Sequence, residues 1–366
     1  MNTLARCCAG SLIALGVGLG FVACGTPFSS HDATGDAGGD TSTAGDTSTG
    51  GDTTTGGDTS TGADGHPGDG PGTVDVDAGG GEDVVVLDAV GSGPCQGAFA
   101  TPTLVLAHTG QYLVDSITLS TDELDAFVAL MPAGVVTEQR QIYAMHRATT
   151  SVPFTMDTSE PLALTEVGST PGAFDVALSA DELTLYFSHR QDTDANLLGV
   201  DIYEAQRADA GGTFSTSSVL GPGIDNPTTD QFHAHPAGPD LYFTVAPVVS
   251  GVQGQRDLYV APLAGGARAA LTGLNGATTQ EANPVPSRDE LQLFFSSDRA
   301  NPGGINLVYY AHRTGAALGF STPALVTLAV GDGGTSIAPQ QLAADACRLY
   351  ILVDQEDAYV AQRAAN

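Results

Sequence analysis

Five segments of the chain end in the same short phrase, a tyrosine followed in most cases four residues later by an arginine. They are QIYAMHR around Tyr143, DIYEAQR around Tyr203, DLYVAPL around Tyr259, LVYYAHR around Tyr309 and DAYVAQR around Tyr359, with the tyrosines 60, 56, 50 and 50 residues apart. A period of roughly 40 to 60 residues carried by β-forming residues predicts a propeller, in which each repeat is one blade of about four strands. A second register runs 15 to 20 residues ahead of the first: STDELDAFVAL from Ser120, SADELTLYFSH from Ser179, HPAGPDLYFTV from His235, SRDELQLFFSS from Ser287 and AADACRLYILV from Ala343. Each unit therefore reads as an alternating apolar strand, a tight turn, an aromatic and branched strand, a variable loop and the Tyr strand. No stretch of this region keeps a helical period.

The fourth strand tells how the ring closes. GFSTPALVTLAVG from Gly319 lies between two units, with shorter relatives from Phe214 and Phe154. The last unit ends at Asn366 without such a segment, whereas AFATPTLVLAHTG occurs at Ala98, ahead of the first unit. Residues 99–106 are expected to form the outer strand of the last blade, which would leave no open sheet edge. The expected fold is all-β: five four-stranded blades over 95–366, closed by an N-terminal strand. Cys95 and Cys347 are the only cysteines of that region and flank the proposed closure, so they are a disulfide candidate, with two buried free thiols as the alternative.

Residues 1–23 carry Arg6, the apolar run SLIALGVGLG and Phe-Val-Ala ahead of Cys24, the layout of a secretory signal. The phrase resembles the lipobox of bacterial lipoproteins, with Phe21 where that family usually has Leu. The resemblance implies cleavage, lipidation of Cys24 and, from Gly25, delivery to the outer membrane. Residues 24–94 read as a stalk of repeats such as GDTSTGGDTTTGGDTSTG, which from Phe28 to Pro94 hold 13 acidic residues and no Lys or Arg. Such a composition cannot offset its own ordering entropy. VDVDAGGGED from Val74 has the oxygen-rich character of a calcium loop but lacks the fixed ligand positions of a known one, so it is read as a solvated linker and no cofactor is expected.

The remaining chain carries 29 acidic residues against 11 arginines, hence −18, and there is no lysine anywhere. A surface this acidic repels phosphate backbones and anionic lipid, so nucleic acid is excluded as a partner and any membrane attachment is expected through the lipid at Cys24.

EANPVPSRDELQLFFSSDRANPGGINLVYYAHR (Glu281 to Arg313) and FDVALSADELTLYFSHRQDTDANLLGVDIYEAQR (Phe174 to Arg207) resemble the PD40 or WD40-like β-propeller repeat of TolB-like periplasmic proteins and many envelope lipoproteins. The family pattern falls on Asn283, Pro284, Ser287, Asp289, Phe294 to Ser297, Asp298 and Arg299. Glu290 stands where the pattern has a turn glycine, which leaves the turn type open. TolB-like proteins commonly have six blades, one more than the five counted here. The resemblance implies an envelope protein, monomeric, presenting its propeller to a protein or glycan partner.

Function has to be sought in sites, because propellers host binding modules, peptidase gates and glycosidases alike. The inner strand of each blade lines the central channel. Counting back from the turns puts Ser116, Asp175, Gln231, Asn283 and Pro339 in one column, with Asp115 and Asp230 beside it and Glu281 two residues before Asn283. This acid-rich ring is the candidate ligand-binding mouth; the bland reading is that any channel end is solvated and polar. His233 and His235, two apart on a strand, would suit a metal pair, but no third ligand stands at motif spacing, and no metal is expected. The repeated Tyr and Arg read as structural, as does the Asp298-Arg299 pair. Asp115, Asp175, Asp230 and Glu281 could also be placed as glycosidase carboxylates, yet their flanks resemble no such family and no Gly-x-Ser-x-Gly elbow occurs. The expectation is a non-catalytic binding module, with a propeller hydrolase and a structural surface component as the alternatives.

Overall fold

A computed structural model of the chain describes residues 95–134, 139–164, 172–190, 199–214, 216–249, 252–330 and 335–365. The signal segment, Cys24 and the stalk lie outside the described residues. The protein is a five-bladed β-propeller with no α-helix among those residues. Blade 1 holds strands Tyr112–Leu119, Asp125–Pro132 and Gln141–His146, with its outer position reduced to one bridge between Tyr143 and Pro161. Blade 2 is Ala173–Leu178, Thr184–Arg190, Val200–Gln206 and Thr216–Val219. Blade 3 is Thr229–Ala237, Asp240–Val249, Asp257–Pro262 and Ala269–Ala270, and blade 4 is Glu281–Pro286, Gln292–Ser297, Leu307–His312 and Ala324–Leu325.

Blade 5 closes the ring as the sequence implies. Ile337–Leu342, Arg348–Val353 and Asp357–Ala365 are completed by Thr103–Leu106, which pairs antiparallel with the last strand. A further strand, Cys95–Phe99, pairs with the far end of that same strand. Cys95 and Cys347 are joined as a disulfide, with their Cα atoms 5.1 Å apart.

The hydrophobic core is divided among the blade interfaces. Second-strand residues such as Phe187, Phe243, Phe295 and Ile351 are fully buried, because each sheet is covered on both faces by its neighbours. This is why those strands read as unbroken apolar runs.

The Tyr-x-x-x-Arg phrase has a mechanical meaning. Arg147, Arg207 and Arg313 each donate from Nε to the carbonyl of a turn glutamate, Glu123, Glu182 and Glu290 respectively. Each guanidinium lies 4.5 to 4.7 Å from the ring of the outer-segment phenylalanine, Phe154, Phe214 or Phe320. Arg363 does the same with Phe99 at 4.4 Å, which makes the N-terminal segment a true member of the repeat.

The turn glutamates adopt the left-handed backbone that the resembled pattern assigns to glycine, with φ of 62°, 63° and 59° at Glu123, Glu182 and Glu290. The turn type is therefore kept, and the side chain gained reaches the preceding blade. Glu290 Oε2 accepts from Tyr242 Oη at 2.9 Å and from Arg313 Nη2 at 3.0 Å, and Glu123 Oε2 accepts from Tyr350 Oη at 2.6 Å. Blade 3 has Gly238 at this turn, φ 51°, because a Cβ there would run into Glu290 Oε1. Glu290→Gln keeps the volume but weakens two charge-assisted bonds, so it should lower the unfolding free energy by about 1–2 kcal/mol in urea titration. An unchanged midpoint would show that the apolar interfaces alone hold the blades.

Candidate functional site

The channel wall is built from one irregularity repeated around the ring. Each inner strand carries a bulge, with a register shift at Val114/Ser116, Phe174/Ala177, Phe232/His235, Ala282/Val285 and Pro339/Gln341. A bulge re-aims the extra residue and sharpens the local twist. In three blades it has positive φ, 54° at Asp175, 50° at His233 and 52° at Asn283. Asp, Asn and His are the non-glycine residues that tolerate this conformation best. Proline cannot adopt it, so the blade 5 bulge around Pro339 takes a different form.

The column in the structure is thus Ser116, Asp175, His233, Asn283 and Pro339. The expected third member, Gln231, is corrected to His233. In blade 3 the inner and second strands are joined through Ala237 and Asp240, a turn two residues shorter than the one between Ser179 and Thr184 in blade 2. Counting back from the turn therefore overshoots by two. In blade 1 the bulge sits one residue earlier, so that Asp115 is the extra residue and Ser116 Oγ instead accepts from Val176 N of blade 2 at 3.0 Å.

The other expected residues separate by role. Glu281 is fully buried and saturated: its carboxylate accepts from Thr279 Oγ1 at 2.6 Å, Ser297 Oγ at 2.9 Å, Gly276 N at 3.0 Å and Arg299 Nη2 at 3.2 Å. Asp230 ties blade 3 to blade 2, accepting from Gly199 N, Val200 N and Gln253 Nε2. Gln231 donates to Asn226 and Thr229 of its own strand approach. Asn283 Oδ1 accepts from Ser296 Oγ at 2.9 Å. These side chains are engaged in holding the fold.

Gln231 Oε1 is buried without a partner as well, but Asp115 and Asp175 differ from it in being ionisable. Both are more than nine-tenths buried, yet Oδ2 of each has no hydrogen-bond partner. Asp115 Oδ1 lies 3.1 Å from Arg140 Nη2, and Asp175 Oδ1 lies 3.3 Å from His233 Nε2. His233 Nδ1 meets Thr244 Oγ1 at 3.3 Å; a hydroxyl donating there puts the proton on Nε2, facing Asp175. Arg140 stacks 4.5 Å from the Phe174 ring, and its Nε is also without a partner.

The electrostatics follow from burial. Desolvation pushes both carboxyls up to about 6; Arg140 opposes the shift at both, Arg256, Ser188 and the His233 amide oppose it at Asp175, and the Asp175 charge adds to it at Asp115. Burial, with Arg256 and Arg140 nearby, lowers His233 well below its ordinary value and keeps the imidazole neutral. Asp115 and Asp175 are thus two buried carboxyls that both take up a proton just below neutral pH.

Arg140, His233 and Arg256 were not among the expected site residues. A signal for two of them exists: Arg140 and Arg256 each stand three residues before the repeat tyrosine, Tyr143 and Tyr259, where the other units have Val200, Asn306 and Glu356. The position varies from unit to unit, so it is not part of the structural repeat and is free to serve the channel. The two histidines do not act together. His235 lines a cavity of about 70 Å3 with Thr118, Arg288 and Gln341, and burial lowers it to about 3. Among the described residues no group of three metal-ligating side chains occurs.

By sequence the chain matches no protein-family model and no curated protein. By structure it is similar to the putative TolB from Agrobacterium tumefaciens, at 15% identity and TM-score 0.41, over 69% of this chain and 84% of that one. TolB from Acinetobacter baumannii follows at 14% and 0.36, over 69% of this chain and 54% of that one, so the chain spans about half of that protein. A thermostable family-43 glycoside hydrolase is similar at 13% and 0.42, over 72% and 91%. Likeness this distant bears on the fold alone. The geometry defines a five-bladed propeller with two buried acids on its inner strands.

Proposed function

We propose that the chain is a binding module of the bacterial cell envelope, tethered through a lipid on Cys24, whose channel mouth takes a glycan. The observation that carries this reading is the pair of buried carboxylate oxygens, Asp115 Oδ2 and Asp175 Oδ2, left without partners beside the unpartnered Arg140 Nε. Buried polar groups are costly unless paired, so this arrangement favours a ligand that supplies both donors and acceptors at short spacing. Vicinal sugar hydroxyls do so without bringing a charge past Arg140 and Arg256. A protein segment is the second partner class consistent with the mouth.

The reading predicts that envelope oligosaccharides bind the full chain in calorimetric titration, and that Asp115→Asn or Asp175→Asn weakens them tenfold or more. Unchanged affinity in both variants would move the site to the variable loops, such as the one after Val248. One feature favours a hydrolase instead: two carboxyls near a pKa of 6 can serve as general acid and as base or nucleophile. Reducing ends released from the same oligosaccharides, and lost in Asp175→Asn while binding persists, would establish that alternative.

A further inference from the structure

A cavity of about 690 Å3 lies away from the channel, between blades 1 and 2. Its origin is legible in the outer segment of blade 1. In blade 2, Val219 pairs with Tyr203 five residues after Phe214. In blade 1 the corresponding contact is the Tyr143–Pro161 bridge, seven residues after Phe154. Pro161 has no N–H to donate, and Asp157 Oδ1 accepts from Ser159 N at 2.9 Å, which turns the extra residues outward. Among the described residues the outer segment makes no ladder with Ala144 or His146, and the space so released opens onto the blade 2 loop that ends at Phe214.

The lining sorts into an apolar interior and an acidic rim. Phe127, Met156, Leu162 and Phe214 supply the walls. Arg207 is part of them, but its charge is committed: it lies 5.4 and 4.7 Å from the Phe127 and Phe214 rings, and its Nε donates to the Glu182 carbonyl at 2.6 Å. At the opening stand two exposed carboxylates, Asp125, which meets His146 Nδ1 at 2.7 Å, and Asp157, whose pKa the Ser159 amide lowers. The volume falls within the range that holds a small organic ligand.

We infer that the cleft between blades 1 and 2 is a binding site for a small organic cation, an ammonium on an aromatic or alkyl body, with the body against Met156, Leu162 and Phe214 and the charge at Asp125 and Asp157. The occupant comes from outside the chain. The protein contains no lysine, and residues 28–94 carry neither Lys nor Arg, so neither a second copy's lysine nor the N-terminal repeats can supply such a group.

The absence of tryptophan makes the test direct, because all indole emission then comes from the probe. The full chain is titrated with tryptamine, with its anionic counterpart indole-3-propionate and with neutral 3-methylindole. Saturable tryptamine binding at least tenfold tighter than that of the propionate supports the site, as does a tenfold loss and erased charge preference in the Asp125→Asn, Asp157→Asn double variant. Both substitutions are at exposed positions, and circular dichroism checks that the fold is kept. Non-saturable binding to millimolar tryptamine, equal binding of the propionate, or an unaffected double variant each overturns the inference. Tryptamine binding that is lost in Asp175→Asn but kept in the double variant also overturns it, by moving the amine to the channel.

Discussion

Removing the Cys95–Cys347 bond, by reduction or by the Cys95→Ser, Cys347→Ser double substitution, should lower the unfolding free energy by about 4–5 kcal/mol. The two residues are 252 apart in sequence, so the bond constrains almost the whole described chain in its unfolded state. It joins the first strand of the described region to the turn that precedes Arg348–Val353, and Arg363 N donates to the Cys347 carbonyl at 2.8 Å beside it. A loss of this size is a third or more of what a typical domain has in total. Urea unfolding of the oxidised and reduced protein measures it. A change below about 1 kcal/mol would mean that Thr103–Leu106 pairing and the Arg363 contact on Phe99 close the ring unaided, and that the unfolded-state entropy model of the bond is wrong for this chain.

Asp175→Asn should make the protein more stable at pH 7, by up to about 3 kcal/mol, while abolishing the binding proposed for the mouth. A carboxyl held near 6 in the folded chain but near 3.9 in the unfolded one disfavours the folded state whenever both are ionised. The sign follows from proton counting. Between pH 6 and 4 the folded state binds the proton first, so this group's contribution is fully present below the unfolded value and is lost as the pH rises through about 6. Wild-type stability should therefore increase on mild acidification from pH 7, and the variant should lack much of that increase. Asp115 is raised chiefly by its own burial and only in part by the Asp175 charge, so Asp175→Asn leaves most of the Asp115 shift in place in both proteins. Asp201, raised to about 7 by burial and Asp225, adds its own slope to both proteins, and the difference between them isolates the mouth. Asparagine suits the backbone, since Asn283 holds the same bulge conformation in blade 4. Equal stability of the two proteins at pH 7 would show that Arg140 and Arg256 fully offset the burial of the acid.

Most of the architecture was legible because the repeat records contacts that every blade needs. The Tyr of each phrase marks the third strand and the Arg, in every unit but the third, the turn it caps, and AFATP at Ala98 carries the phenylalanine, Phe99, that meets Arg363 at the closure. The alignment of inner-strand positions was legible where the turn has its standard length, at Ser116, Asp175, Asn283 and Pro339. It was misread at Gln231, because two missing turn residues leave no trace in local composition. Arg140 and Arg256 escaped notice because they belong to the chemistry of the channel through space, on strands remote in sequence from some of the acids they face. Burial of Glu281 was also unreadable: a glutamate followed by Asn-Pro looks the same in sequence whether it faces solvent or, as here, four donors.

One set of contacts that fastens each blade to the next lies away from the axis. The fasteners sit at the turns, the ends of the third strands and the outer segments, as with Glu290, Arg313 and Phe320. The axial residues occupy the bulges, where Asp175, His233 and Asn283 share one backbone conformation while differing in charge. At these three bulges the side chain can be exchanged among the few types that accept that conformation while the turn fasteners stay in place. A protein built this way can alter what its axis recognises sector by sector, and the same partition offers three addressable positions for installing a new specificity by design.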